Sequence, residues 1–179
     1  MEKHKTVCFF GHRNVVRTEE LQKRVERVVE DLIERCGVDT FLFGSRSKFD
    51  ELCHFVVTKL KGKYPQIKRI AYTCKSETCV LESEREKLEK TYAIFQKTAV
   101  SLLGVEEEFE HKTKYTSGKA SYVERNRAMI DDSKYCVFYY DEKYQPVSKK
   151  NTNSPPKSGT ALAYEYAKGK KKEIFNVCP

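Results

Sequence analysis

Apolar and polar positions alternate with two different periods along this chain, and the switching between them predicts strands and helices in turn. Residues 6–10, TVCFF, are a short β-rich run that meets Gly11. Thr18 then precedes a segment in which Leu21, Val25, Val28, Leu32 and Cys36 recur every three or four residues, the spacing of one helix face. Thr18 suits the start of that helix because its hydroxyl can take an orphan N–H, and Gly37 suits its end because glycine accepts a left-handed backbone. Residues 40–43, TFLF, read as a second strand. Ser47 with Asp50 three positions later has the form of a helix cap, and Leu52, Val56 and Leu60 mark the face of a second helix that ends before Pro65.

Residues 67–72 read as a third strand. Between 73 and 118 the pattern weakens to a charged helical stretch at 82–90, an apolar piece at 99–105 and a polar loop. Residues 122–132 are helical again, and YCVFYY at 135–140 is the strongest strand pattern in the chain. NTNSPPKSG is a turn-forming loop. Thr160 opens a last helix that Gly169 stops, and residues 173–177 form a final strand. Strands alternating with helices predict parallel pairing through right-handed crossovers, with helices on both faces of the sheet. The expectation is one doubly wound α/β domain spanning residues 1–179, with a mostly parallel sheet.

Composition narrows the class. With 39% hydrophobic and 34% charged residues, the 179-residue chain has the balance of a soluble globular domain. No apolar run approaches the roughly 20 residues that cross a bilayer, and the N-terminal apolar run is too short for a signal peptide. A cytoplasmic protein with no membrane association is expected. The seven cysteines are odd in number and scattered. Cys8, Cys136 and Cys178 fall in or beside strand-like runs, where a thiol behaves as a small hydrophobe. Cys74 and Cys79 lack a second pair to complete a zinc site, so reduced thiols and no metal are expected. The net charge of +8 favours anionic ligands. KGKKKE at 168–173 reads as a solvated helix end, and no stripe of basic and aromatic residues points to nucleic acid.

Ligands of wound α/β sheets sit beyond the carboxyl ends of the strands. Three segments predicted there share a chemistry: Gly11, His12, Arg13 and Asn14; GSRSKFD from Gly44 to Asp50; and KSGTALAYEYA from Lys157 to Ala167, with Ser158, Gly159 and Thr160 at its start. Each has a glycine at a strand end or helix start, together with hydroxyl or basic side chains. Helix N-termini offer free N–H groups and a partial positive charge suited to phosphate. Ser45, Ser47, Ser158 and Thr160 add donors, and Arg13 and Arg46 add charge-assisted hydrogen bonds. Each loop alone also reads as an ordinary turn. Neither the dinucleotide fingerprint G-x-G-x-x-G nor a P-loop occurs.

A fourth segment is YVERNRAMIDDSKYCVFYY, residues 122–140. Arg125 and Arg127 diverge by about 200° at about 100° per residue, so Arg125 and Asn126 can face the strand ends while Arg127 is solvated. Asp131, Asp132 and Ser133 read as the exit turn. Tyr139 and Tyr140 either pack the sheet edge or stack on a base. His12 reads either as a structural group or as a donor to phosphate.

With these segments in order, the chain resembles the SLOG superfamily, the Rossmann-like group that includes the Lonely Guy proteins and the DNA-processing protein DprA. More narrowly it is similar to the bacterial family of YpsA-like proteins, DUF1273. The resemblance rests on CFFGHR, FGSRSKFDELC, YVERNRAMIDDSKYCVFYYD and SGTALAYEYAKGKKKEIFNV. It implies a Rossmann-like fold whose loops bind a nucleotide or a nucleotide-derived ligand of the NAD or ADP-ribose kind. By position, Gly11, His12 and Arg13 would line the first loop and Gly44, Ser45 and Arg46 the second. Arg125 and Asn126 would approach ribose or phosphate, and Ser158, Gly159 and Thr160 would hold phosphate.

Two departures matter. Lonely Guy enzymes carry P-G-G-x-G-T-x-x-E, whereas this chain reads PPKSGTALAYE, which puts Ala163 where the catalytic glutamate would be and Glu165 on another side of the helix. Ser45 also stands where the wider group commonly has a second glycine. The leading expectation is therefore a sensor or regulatory protein. The alternative is an N-glycosidic hydrolase using Asp50, Glu51 or Glu165, each of which also reads as a capping or surface carboxylate. Single-stranded DNA binding, as in DprA, ranks lowest. A homodimer paired through helices is the expected assembly.

Overall fold

The computed structural model describes residues 2–44, 47–74, 104–114, 118–144 and 157–179. After a short 3-10 turn at Lys3–Lys5, the described elements run β1 (Thr6–Gly11), α1 (Glu19–Cys36), β2 (Thr40–Phe43), α2 (Lys48–Leu60), β3 (Lys68–Cys74), β4 (Glu107–His111), α3 (Gly118–Asp131), β5 (Tyr135–Tyr139), α4 (Gly159–Gly169) and β6 (Glu173–Asn176). The predictions for 82–90, for most of 99–105 and for NTNSPP lie outside the described residues, as do Ser45, Arg46 and Cys79.

The six strands form one sheet in the order β4-β3-β2-β1-β5-β6, and every pairing is parallel. This is a doubly wound, Rossmann-like α/β fold. From β1 the chain winds outward through β2 and β3 to β4, then returns to β5 on the other side of β1. The order reverses between β1 and β5, and there the helices leave the two strands toward opposite faces. A crevice at this switch point is the usual ligand position of such sheets.

Alternation along the strands sorts the two cores. Val7, Phe9, Phe41, Phe43 and Val137 point to the face covered by α1 and α2, where Val25, Val29, Leu52 and Val56 are buried. Cys8, Phe10, Leu42, Tyr72, Cys136 and Phe138 point to the other face, covered by Met129 and Ile130 of α3 and by Ala163 and Ala167 of α4. Strands buried on both faces read as continuous apolar runs, which is why TFLF and YCVFY were visible in the sequence.

Local signals act where they were read. The Thr18 side chain accepts the Leu21 N–H, and Gly37 ends α1 in the left-handed conformation at φ 67. Ser47 caps α2 by accepting the Asp50 N–H; α4 begins at Gly159 rather than at Thr160, with Ser158 as its cap accepting the Ala161 N–H. In α1 the buried face is Leu21, Val25, Val29, Leu32 and Ile33; Cys36 is exposed.

One element differs from expectation. The polar stretch after residue 105 contains a strand, EEFEH, paired to β3 from Ile70↔Glu107 to Cys74↔His111. Its glutamates are exposed, so it shows no apolar alternation. Non-local contacts hold it instead. Arg69 grips Glu106 bidentately, Nη2 to Oε1 at 2.7 Å and Nε to Oε2 at 3.2 Å, while its Nη1 donates to Thr58 of α2 at 2.8 Å. Lys61 also meets Glu106, at 2.9 Å. Burial alone would raise the Glu106 carboxyl, but its bonds to Arg69 and Lys61 hold it down at about 2. Among the described residues no helix is long and apolar enough to cross a membrane.

Candidate functional site

The carboxyl ends of β1, β2 and β5 and the N-termini of α2, α3 and α4 lie at one edge of the sheet, as parallel winding requires. Gly11 ends β1 opposite Tyr139 of β5. Its missing side chain is structural: a Cβ there would fall within the Phe49 side chain. The first turn of α2 can therefore rest directly on β1, and Lys48 N–H donates to the Arg13 carbonyl at 3.3 Å. The first predicted loop and the start of α2 thus form one unit, with Arg13 exposed at its rim.

Gly44 is used in a similar way on the opposite face. A Cβ at residue 44 would lie 2.6 Å from Met129 Sδ and 3.2 Å from Arg125 Nε. The absent side chain lets α3 lay Arg125 across the end of β2. Arg125 is 2% exposed. It donates to Asn126 Oδ1 through Nε at 3.2 Å and Nη2 at 2.9 Å, and its guanidinium lies 5.6 Å from the Tyr122 ring centroid. Arg127 faces outward over Tyr166. The angular separation read from the helix is therefore the one present.

His12 follows Gly11 and turns to the α3–α4 face. Beyond the last β1–β5 register pair a side chain continues the ladder: Asp141 N–H donates to His12 Nε2 at 3.0 Å. A donor at Nε2 fixes the neutral ring with its proton on Nδ1. Nδ1 itself is buried with no partner among the described residues. Burial holds this imidazole below its ordinary 6.5, against the Asp141 carboxylate, which pulls the other way.

Aromatic rings connect His12 to α4. Tyr144 stacks on it at 3.9 Å and 23°, and Tyr140 lies 5.9 Å away. Tyr140 in turn stacks on Tyr164 of α4 at 4.4 Å and 26°. Tyr164 meets Phe138 edge-on, so the row is anchored in the core. Thr160 is buried one turn before Tyr164. Lys119 near the start of α3 donates to the Lys157 carbonyl at 2.6 Å, tying the α3 and α4 N-termini together.

The structure thus gathers Gly11, His12 and Arg13 with Gly44, Arg125, Asn126, Ser158, Gly159 and Thr160 at one sheet edge. The carboxylates are placed differently. Asp50 is buried in the first turn of α2, Glu51 is exposed on that helix, and Glu165 is exposed in an ion pair with Lys157 at 2.6 Å. The sequence reading did not single out Asp141, Tyr144 and Tyr164 as site residues. The available signals were the adjacency of Asp141 to the YCVFYY strand and the place of Tyr164 within the Lys157–Ala167 segment.

Elsewhere, Tyr72 donates to Asp132 at 3.0 Å and Tyr166 to Asp131 at 2.9 Å, confirming a structural exit turn at the opposite end of α3. Cys8 and Cys136 are register partners whose Sγ atoms lie 3.5 Å apart in a hydrogen bond, and none of the six described cysteines is in a disulfide. Among the described residues no cluster of three His, Cys, Asp or Glu side chains is placed to hold a metal.

No protein-family model matches the chain, and no curated protein matches it. The class that the fold itself defines is that of doubly wound, Rossmann-like α/β proteins.

Proposed function

We propose that this protein binds a nucleotide or nucleotide-derived ligand, of the NAD or ADP-ribose kind, at the β1–β5 switch point and acts as a sensor or regulatory protein. The observation that carries the reading is the meeting of two features at one edge. An anion-suited rim of Arg13 and the α4 N-terminus at Thr160, backed by the buried Arg125, adjoins an aromatic wall of His12, Tyr140 and Tyr164. Helix N-terminal N–H groups and guanidinium groups favour phosphate, and an aromatic wall favours a base. The exposed, ion-paired position of Glu165 supports a binding role over glycosidic cleavage. The reading takes the chain to be a cytoplasmic protein of SLOG type.

Thermal-shift measurements against AMP, ADP, NAD, ADP-ribose and pyrimidine nucleotides test it. At least one raises the midpoint of the folded protein, and Thr160→Val with Arg13→Ala diminishes that rise. A folded sample that responds to none of them refutes the reading.

A further inference from the structure

His12 occupies an unusual position. It lies at the switch point with 3% of its surface exposed, yet it comes from a loop rather than the sheet core. One ring nitrogen is engaged by Asp141 N–H, and the other is buried without an acceptor among the described residues. Burying an imidazole N–H without an acceptor is costly, so an arrangement that gives Nδ1 an acceptor offsets part of the cost of leaving this one.

What closes over His12 is Tyr144. The rings are 3.9 Å apart between centroids and 23° from parallel, one stacking layer with no room for another ring between them. Tyr144 differs from Tyr140, which the α4 ring of Tyr164 backs at 4.4 Å and which packs against the core. Tyr144 is carried on a small self-contained turn. Its N–H donates to the Asp141 carbonyl at 3.1 Å, and Lys143 N–H donates to Asp141 Oδ1 at 2.8 Å. Residues 141–143 are exposed. Two contacts of this turn with the body of the protein, the Asp141–His12 hydrogen bond and the Tyr144 stack, are both made to His12.

We propose that Tyr144 is a resident occupant of a base-stacking subsite on His12: the planar heteroaromatic ring of a bound nucleotide takes the face of the imidazole that Tyr144 covers, and Tyr144 swings out on its turn. This deepens the nucleotide reading and rests on it. The ligand class it selects has a base. Inorganic phosphate and ribose 5-phosphate engage the rim but leave Tyr144 in place, because nothing replaces its ring. A stacked planar base recovers the contact that Tyr144 gives up, and movement of the turn opens His12 Nδ1 to an acceptor.

The chain contains no tryptophan, so Tyr144→Trp provides a single emitter stacked on His12. Adenine nucleotides shift its emission to the red as the indole enters water, whereas ribose 5-phosphate and inorganic phosphate leave the spectrum unchanged. In calorimetry, Tyr144→Ala binds the same nucleotide about 2- to 10-fold more tightly than the wild type, the range expected when one aromatic stack no longer competes. Weaker or unchanged affinity in Tyr144→Ala, or an equal spectral response to ribose 5-phosphate, overturns the proposal while leaving nucleotide binding intact. Absence of calorimetric binding by both folded wild type and Tyr144→Ala overturns the nucleotide reading itself, and the subsite with it.

Discussion

His12 accepts the Asp141 backbone N–H at 3.0 Å, so an imidazole from the end of β1 holds the loop that leaves β5. The bond lies one step past the Gly11↔Tyr139 pair, where the backbone ladder stops. It locks the ring neutral and aims a flat face at Tyr144. The chemistry of the proposed cleft therefore begins in the two central strands of the sheet, and the ring that serves folding is the one proposed to serve recognition.

That double role separates two substitutions at one position. His12→Phe keeps a flat buried ring and loses only a hydrogen bond to an exposed loop, so urea unfolding places it within about 1 kcal/mol of the wild type. His12→Ala leaves a void among Tyr140, Tyr144 and the strand ends and costs about 2–4 kcal/mol. Equal losses in the two variants contradict the packing account.

The glycines divide in the same way. Gly11→Ala and Gly44→Ala push a methyl into Phe49 and into Met129 and Arg125, respectively; each is expected to cost about 1–3 kcal/mol, the range of an overpacked core. A Cβ at Gly159 meets nothing within 4 Å. Gly159→Ala therefore leaves stability within about 0.5 kcal/mol, and its effect is confined to ligand affinity. Denaturant midpoints at constant slope check all three.

Acid stability follows from a buried histidine and an ion-paired glutamate beside β3 and β4. His54 is 3% exposed and packs edge-on against Phe43. Burial, reinforced by the charge of Arg69, lowers it from 6.5 to about 4. The unfolded chain takes up this proton near 6.5, whereas the folded protein resists until about 4. Stability is therefore full above 6.5 and falls as the pH drops through that window, by up to about 3 kcal/mol at about 1.36 kcal/mol per unit. Lowered His12 adds a loss of the same sign below 6.5. Glu106, held at about 2, contributes stability that is present above 4.5 and lost between 4.5 and 2. Unfolding free energies measured from pH 8 to 3 decline on acidification, and His54→Gln flattens the decline between 6.5 and 4. A profile for His54→Gln parallel to the wild type refutes the assignment.

How much of this was legible in the sequence depends on whether a feature is local. α1 announced itself because Leu21, Val25 and Leu32 repeat on one face between Thr18 and Gly37, all within a few turns. β4 did not, since a strand with Glu107, Glu108 and Glu110 exposed carries no pattern of its own and is held by β3 and the distant Arg69–Glu106 pair. At the site, the outward and inward faces of Arg127 and Arg125 followed from helix geometry. Tyr144 was invisible for the opposite reason. It lies in a turn without periodicity, and its partner His12 sits near the other end of the chain, brought close only by the β1–β5 pairing. The glycines were read as part of an anion site, yet the atoms that occupy the space of a Cβ at Gly11 and Gly44 are those of Phe49 and of Met129 and Arg125.

The most direct measurement of the central claim is amide chemical-shift mapping with ADP-ribose on isotope-labelled protein. The account predicts perturbations concentrated at Gly11–Arg13, Gly44, Tyr140–Tyr144 and Ser158–Thr160, saturating together as one site. Saturable perturbations confined to the opposite edge of the sheet, around Asp131, Ser133 and Lys172, or none at millimolar ligand, would contradict it.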